Sequence, residues 1–121
     1  MARILIIDDE DVKRMLLRDV LEPMGHQITE AKDGREGLRQ YREQPAELVI
    51  TDIVTPNQDG FEVIRELKEE YPDVRIVVET ASDADGEKGW LELASIYGVQ
   101  ATLQAPFGRD DIERAVNKAL E

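Results

Sequence analysis

The sequence predicts a doubly wound α/β domain built around a parallel sheet, and three features predict it. Short apolar runs alternate with longer amphipathic ones along the whole chain. Several of the short runs are apolar throughout, as strands covered on both faces are. Proline follows most of the amphipathic stretches and stops them. Strands alternating with helices in this way imply right-handed crossovers and helices on both faces of the sheet.

Arg3–Ile7 (RILII) reads as a first strand buried on both faces. Asp11–Leu21 carries Val12, Met15, Leu16, Val20 and Leu21 at helical spacing, and Pro23 and Gly25 end it. His26–Ala31 is a short second strand. Asp33–Gln44 is a helix with Leu38 and Tyr41 facing inward, closed by Pro45. Leu48–Thr51 is the third strand, and a loop runs from Asp52 to Gly60. Phe61–Tyr71 is a helix with Phe61, Ile64 and Leu67 on one face, ended by Pro72. Val74–Val78 is the fourth strand. A polar stretch containing Gly86 and Gly89, both poor helix formers, delays the start of a helix around Trp90–Tyr97. Ala101–Leu103 is a fifth strand, broken by Pro106, and Asp110–Leu120 is the last helix. No linker or low-complexity tract divides the chain, so residues 1–121 are expected to form one domain.

The chain has 121 residues, enough for a single core without staples, and no cysteine, which excludes disulfides and thiolate metal sites. Its 27 acidic and 15 basic residues leave a net charge of −12. Such a surface repels nucleic-acid phosphates and anionic membranes, so no direct contact with either is expected. No stretch approaches a signal h-region or a membrane span, which points to a cytoplasmic protein.

In a doubly wound sheet the working site lies at the carboxyl ends of the strands. Here those ends carry Asp8 and Asp9 after strand one, Asp52 after strand three, Thr80 after strand four, and Gln104, Ala105 and Pro106 after strand five. Carboxylates converging in one crevice repel each other unless a divalent cation intervenes, and Mg2+ suits oxygen ligands with retained waters. Asp8 and Asp9 could instead cap the first helix. Asp52 alone could be a turn residue before Pro56 and Asn57. The company the acids keep favours a metal site.

The acidic pair after RILII, Asp52 within DIVTP, the DG at 59–60, Thr80–Ala81 and Pro106–Phe107 fall in one order, each at a predicted strand end or beside it. By these residues the sequence resembles the receiver domains of response regulators in two-component signalling, the CheY-like family. The resemblance implies a flavodoxin-like (βα)5 domain with sheet order 2-1-3-4-5. It implies that Asp52 accepts a phosphoryl group from phosphohistidine, with the Thr80 hydroxyl on a phosphoryl oxygen. It also implies that Asp9, Asp52 and the Val54 backbone carbonyl ligate Mg2+, with Asp8 acting largely through water. The domain would not be a turnover enzyme. Its partners would be a sensor histidine kinase or histidine phosphotransfer protein near the first helix. A downstream protein target would sit at the face of the fourth helix, fifth strand and last helix.

The chain departs from the family pattern at several positions. Ala105 stands where the family has a lysine that pairs with phosphoryl oxygens. Thr102 stands for an aromatic residue and Thr55 for methionine. Glu79 interrupts an apolar strand. By strand alternation Glu79 and Gln104 are expected to point away from the phosphorylation pocket, with the Gln104 amide donating to Glu79. Lys13 and Arg14 read as solvated residues, either of which could partly replace the missing cation. His26 reads as a strand-edge residue rather than a ligand, and Trp90 and Tyr97 as packing residues.

The alternative to a phosphorylatable receiver is a degenerate one that binds partners without a phosphorylation switch, which Ala105 and Thr102 favour. A flavodoxin-type cofactor binder would need a Ser-, Thr- or Gly-rich loop where the chain has DDED. An aspartyl phosphatase would need Asp where Val54 stands.

Overall fold

Five strands, β1 (Arg3–Ile7), β2 (Gln27–Ala31), β3 (Leu48–Asp52), β4 (Ile76–Thr80) and β5 (Ala101–Gln104), pair in parallel in the order β2-β1-β3-β4-β5. The structure, a computed structural model, describes residues 1–52, 59–80 and 98–121. Four helices lie among them: α1 (Asp11–Leu21), α2 (Gly34–Glu43), α3 (Asp59–Glu70) and α4 (Arg109–Ala119). The predicted sheet order is the one observed. The helix expected around Trp90–Tyr97, with its delayed start, lies outside the described residues. None of the described helices is long and apolar enough to cross a membrane.

Side chains alternate across a strand, so each strand feeds two cores. Ile4 and Ile6 of β1, Ile50 of β3 and Val77 of β4 pack with Leu17, Val20 and Leu21 of α1 and Ile112 and Val116 of α4. Leu5 and Ile7, Val49, and Ile76 and Val78 pack on the other face with Leu38 and Tyr41 of α2 and Val63, Ile64 and Leu67 of α3. Tyr41 also meets Tyr71 edge to face, ring centroids 4.7 Å apart.

Two helix starts are written locally. Asp33 caps α2 by accepting the Glu36 N–H at 2.8 Å. The Asp111 carboxylate accepts the Gly108 N–H at 2.9 Å at the head of α4.

The apolar stripe expected on α1 is rotated. Leu17, Val20 and Leu21 are buried, but so is Arg14, while Val12 (79% exposed), Met15 (60%) and Leu16 (38%) face outward. The reason is that Arg14 has fixed partners inward. Its guanidinium donates to the Asp8 carbonyl at 2.6 Å and to Glu30 on β2 at 3.3 Å, and it pairs with Asp11. That satisfies a buried cation, and the expectation that Arg14 is solvated is corrected.

The fourth strand is also displaced. Val74 is buried, but its N–H bonds to the Tyr71 carbonyl in a turn, and pairing begins at Ile76 and continues through Glu79.

Gly37 lets α2 lie against β1. A Cβ there would meet the Ile7 side chain, 2.7 Å from its Cγ1. Gly37→Ala is expected to destabilise the fold by about 1–3 kcal/mol through overpacking, read from urea unfolding. Adding Ile7→Val, which removes the outermost methyl, should restore part of the loss. A Gly37→Ala midpoint equal to that of the parent would show that the approach is looser than described.

Candidate functional site

Three strands present carboxylates at one level. Ile7 is level with Thr51 across β1 and β3, and Asp52 with Glu79 across β3 and β4. Asp8, one residue past Ile7, therefore stands beside Asp52. All three side chains project on the α1/α4 face, the face of Ile6, Ile50 and Val77. Asp8, Asp52 and Glu79 are each at most 3% exposed. Carboxylate oxygens of Asp8, Asp9, Glu10 and Asp52 lie within 4.8 Å of one another.

The sequence-predicted acids Asp8, Asp9 and Asp52 are thus brought together, Asp9 at the exposed mouth and the other two beneath it. Thr80 closes β4, level with Gln104. The Thr80 and Phe61 side chains and the Val54 carbonyl lie outside the described residues, as do Thr55 and Ala81. Ala105 is half-buried just past β5, and Thr102 is exposed. His26 sits away from the acids, its Nδ1 accepting the Ala2 N–H at 3.0 Å.

Three residues at the site add to the sequence reading or depart from it. Glu10 joins the cluster; its signal was its place directly after the acidic pair. Lys13, read as solvated or as a part replacement for the missing cation, turns inward, with Nζ 2.9 Å from Glu10 and 3.7 Å from Asp52. Partial burial works against its charge, but Glu10, Asp52 and Asp8 outweigh that and hold its pKa above the ordinary lysine value.

The third is Glu79, expected to point away from the pocket toward Gln104. Both parts of that expectation are overturned. The register sets Glu79 beside Asp52 and opposite Leu103, whereas Gln104 is level with Thr80 and exposed. Thr80, not Glu79, would share the face of Asp52 if it stood level with that residue; the register instead sets Glu79 level with Asp52, which reverses the face. Neither Glu79 oxygen forms a hydrogen bond of acceptable geometry with a described residue. The Asp8 carboxyl nonetheless lies near enough for the two to interact as a hydrogen-bonding pair.

Burial first, then the Asp8 and Asp52 charges, push Glu79 up to about 10. Burial likewise raises Asp8, although the Glu10 N–H donating to Asp8 Oδ1 at 2.8 Å opposes the shift. That bond shows the helix-start and acidic-site readings of Asp8 to be compatible: one oxygen meets the backbone at the head of α1. The other, Oδ2, is buried without a hydrogen-bond partner among the described residues. Chemically the arrangement offers a dense set of hard oxygen ligands around the buried Asp52 carboxylate, with one ammonium beside it.

Comparison with known proteins gives the same frame. The family model described as the response regulator receiver domain matches residues 4–117. The chain is 32% identical over 119 residues to the chemotaxis protein CheY of Bacillus subtilis, covering 98% of this chain and 97% of that one. It is 30% identical over 118 residues to the sporulation initiation phosphotransferase F of the same organism, covering 98% and 93%. Among solved structures, a response regulator receiver domain protein from Clostridium thermocellum superposes with a TM-score of 0.85 at 30% identity, covering 99% of this chain and 94% of that one.

The Glu79 shift makes a stability prediction for metal-free protein held in chelator. With the folded value raised from 4.5 to about 10, both states hold the proton below the lower value. As pH rises through that window the unfolded chain releases its proton first, so stability falls until the folded value is passed. Glu79→Gln should match the parent in mild acid and exceed it by about 1–3 kcal/mol in mild alkali, by urea unfolding across pH. Parallel curves for the two proteins would show Glu79 to be ionised without cost.

Proposed function

Because the chain belongs to the response regulator receiver domain family, we propose that it is a stand-alone cytoplasmic receiver taking a phosphoryl group from phosphohistidine onto Asp52. The observation that carries the reading is the convergence of Asp8, Asp9, Glu10 and Asp52 within 4.8 Å, with Asp52 in register at the end of β3.

The acids present fit a hard divalent cation: four oxygens converge, and buried Asp8 Oδ2 lacks a hydrogen-bond partner among the described residues. Asp8, Asp9 and Asp52, with the Val54 carbonyl, would hold Mg2+, which when bound neutralises charge on the transferring phosphoryl oxygens. The Asp52 carboxylate attacks phosphorus as the phosphorus–nitrogen bond of the donor breaks, giving an acyl phosphate on the domain's own side chain rather than catalytic turnover. Thr80 would donate its hydroxyl to a phosphoryl oxygen. Lys13 is placed to supply part of the positive charge that Ala105 cannot.

The exposed Val12, Met15 and Leu16 on α1, beside the site, suit docking of a sensor kinase or histidine phosphotransfer helix. A groove between β5 and α4, lined by Thr102, Gln104, Arg114 and Lys118 among others, suits a downstream protein.

A second reading has its own observation. Glu79 adds a buried acid beside Asp52 while position 105 contributes no cation, so a phosphoryl group of nearly two negative charges meets a pocket with little positive charge to receive it. On that reading the chain is an adaptor that binds partners without phosphorylation.

Incubation with acetyl phosphate and Mg2+, read by intact mass, separates the two. A phosphate adduct absent from Asp52→Asn is expected; no adduct with any donor, kinase included, leaves the adaptor. Met15→Glu should slow transfer from a phosphorylated histidine kinase domain that labels the parent by about tenfold or more, while leaving acetyl phosphate labelling intact. Equal loss with both donors would place the defect in the site and not in docking.

A further inference from the structure

Lys13 lies in the first turn of α1, and its ammonium is 2.9 Å from Glu10 and 3.7 Å from the Asp52 carboxylate. Its side chain is 26% exposed, against 2% for that of Asp52. Two residues earlier on β3, and on the same face, Ile50 is fully buried in the core beneath α1 and α4. A group added to Asp52 cannot grow into that core. It grows toward the exposed Asp9 and Glu10, the side on which the Lys13 ammonium is held.

The other two cations of α1 are committed elsewhere. Arg14 donates to the Asp8 carbonyl and to Glu30 and pairs with Asp11. Arg18 pairs with Glu22 and with Glu30. Lys13 is held more loosely. Its distance to Asp52 is long for a hydrogen bond, and its short contact is with Glu10, a side chain 59% exposed. An ion pair so exposed is weak, so the ammonium can exchange Glu10 for a better acceptor. A phosphoryl group is one, with nearly two negative charges on three oxygens. The flexible stem and rotatable donors of lysine suit it to follow an acceptor that arrives and leaves.

We propose that Lys13 is a catalytic residue of the phosphoryl transfer, exchanging Glu10 for an oxygen of the phosphoryl group as that group passes to Asp52. The inference rests on Asp52 being the phosphoacceptor, the reading given above, and deepens it by assigning the cation that binds the transferring group. The bond from Asp52 to phosphorus forms as the phosphorus–nitrogen bond of the donor breaks, and the electron pair of that bond stays on the nitrogen. Lys13 moves no proton; it meets the charge on the phosphoryl oxygens. The same ammonium repels a divalent cation from the unphosphorylated cluster. Lys13 thus acts in opposite senses, for the phosphoryl group and against the metal.

Two measurements on the parent, Lys13→Gln, Lys13→Met and Lys13→Arg test it. The first is the rate of labelling by acetyl phosphate in saturating MgCl2, read by intact mass. The second is isothermal titration with MgCl2 alone, without a phosphodonor. Lys13 is partly exposed, and urea unfolding should show all three variants folded. Labelling should slow by about 10- to 100-fold in Lys13→Gln and Lys13→Met and keep most of its rate in Lys13→Arg, while the two neutral variants bind Mg2+ at least as tightly as the parent. Slowed labelling with Mg2+ affinity undiminished upholds the inference, because general damage to the site would weaken both. Labelling unchanged in the neutral variants overturns it and leaves Asp52 as the acceptor. So does loss of labelling and Mg2+ affinity together, which makes Lys13 structural. A Lys13→Arg rate as low as that of Lys13→Gln overturns it as well, since charge is then not what position 13 supplies. A parent that no donor labels removes the phosphoacceptor reading along with the inference.

Discussion

Parallel pairing of β1, β3 and β4 holds Asp8, Asp52 and Glu79 at one level on one face of the sheet. Each strand is anchored by apolar residues on both faces, so none of these acids can turn away without dragging a core layer with it. Their mutual repulsion is therefore built into the fold. It is met by raised proton affinity at Asp8 and Glu79 and by the Lys13 ammonium. The chemistry of the site follows from that enforced crowding.

The first helix serves the same row of acids. Asp8 accepts an N–H at its start, and Arg14 ties the Asp8 carbonyl to Glu30 on β2, fixing both the position of the acid and the rotation of α1. With Arg14 inward, Lys13 comes to lie over Asp52, and Val12, Met15 and Leu16 are left facing outward. One buried guanidinium thus links the geometry of the pocket to the apolar surface beside it.

Charge at this pocket is distributed differently from the family pattern with a lysine at position 105. The side chain there is the methyl group of Ala105, and the positive charge comes from α1 through Lys13. An extra acid enters from β4. Incoming phosphoryl charge would have less cationic support on the β5 side. Electrostatics of this kind act over a few ångströms in a buried setting, where they are weakly screened.

The sequence by itself determined the sheet, the four described helices and the acids Asp8, Asp9 and Asp52 as partners. Alternating apolar runs and proline stops are local signals, and strand-end acids in a doubly wound chain can converge in only one crevice. Local pattern alone pointed Glu79 away from the pocket and Arg14 toward solvent, and both point the other way. Those depend on the register between strands and on the partners Arg14 finds in Glu30 and the Asp8 carbonyl, residues distant in the chain or on its backbone. A slip of one residue in register reverses every side chain of a strand, and no local pattern in IVVET marks the level at which it meets Asp52. Only the packed sheet decides that, because burial of both its faces leaves a single register in which Val49, Ile50, Ile76 and Val77 all find their cores.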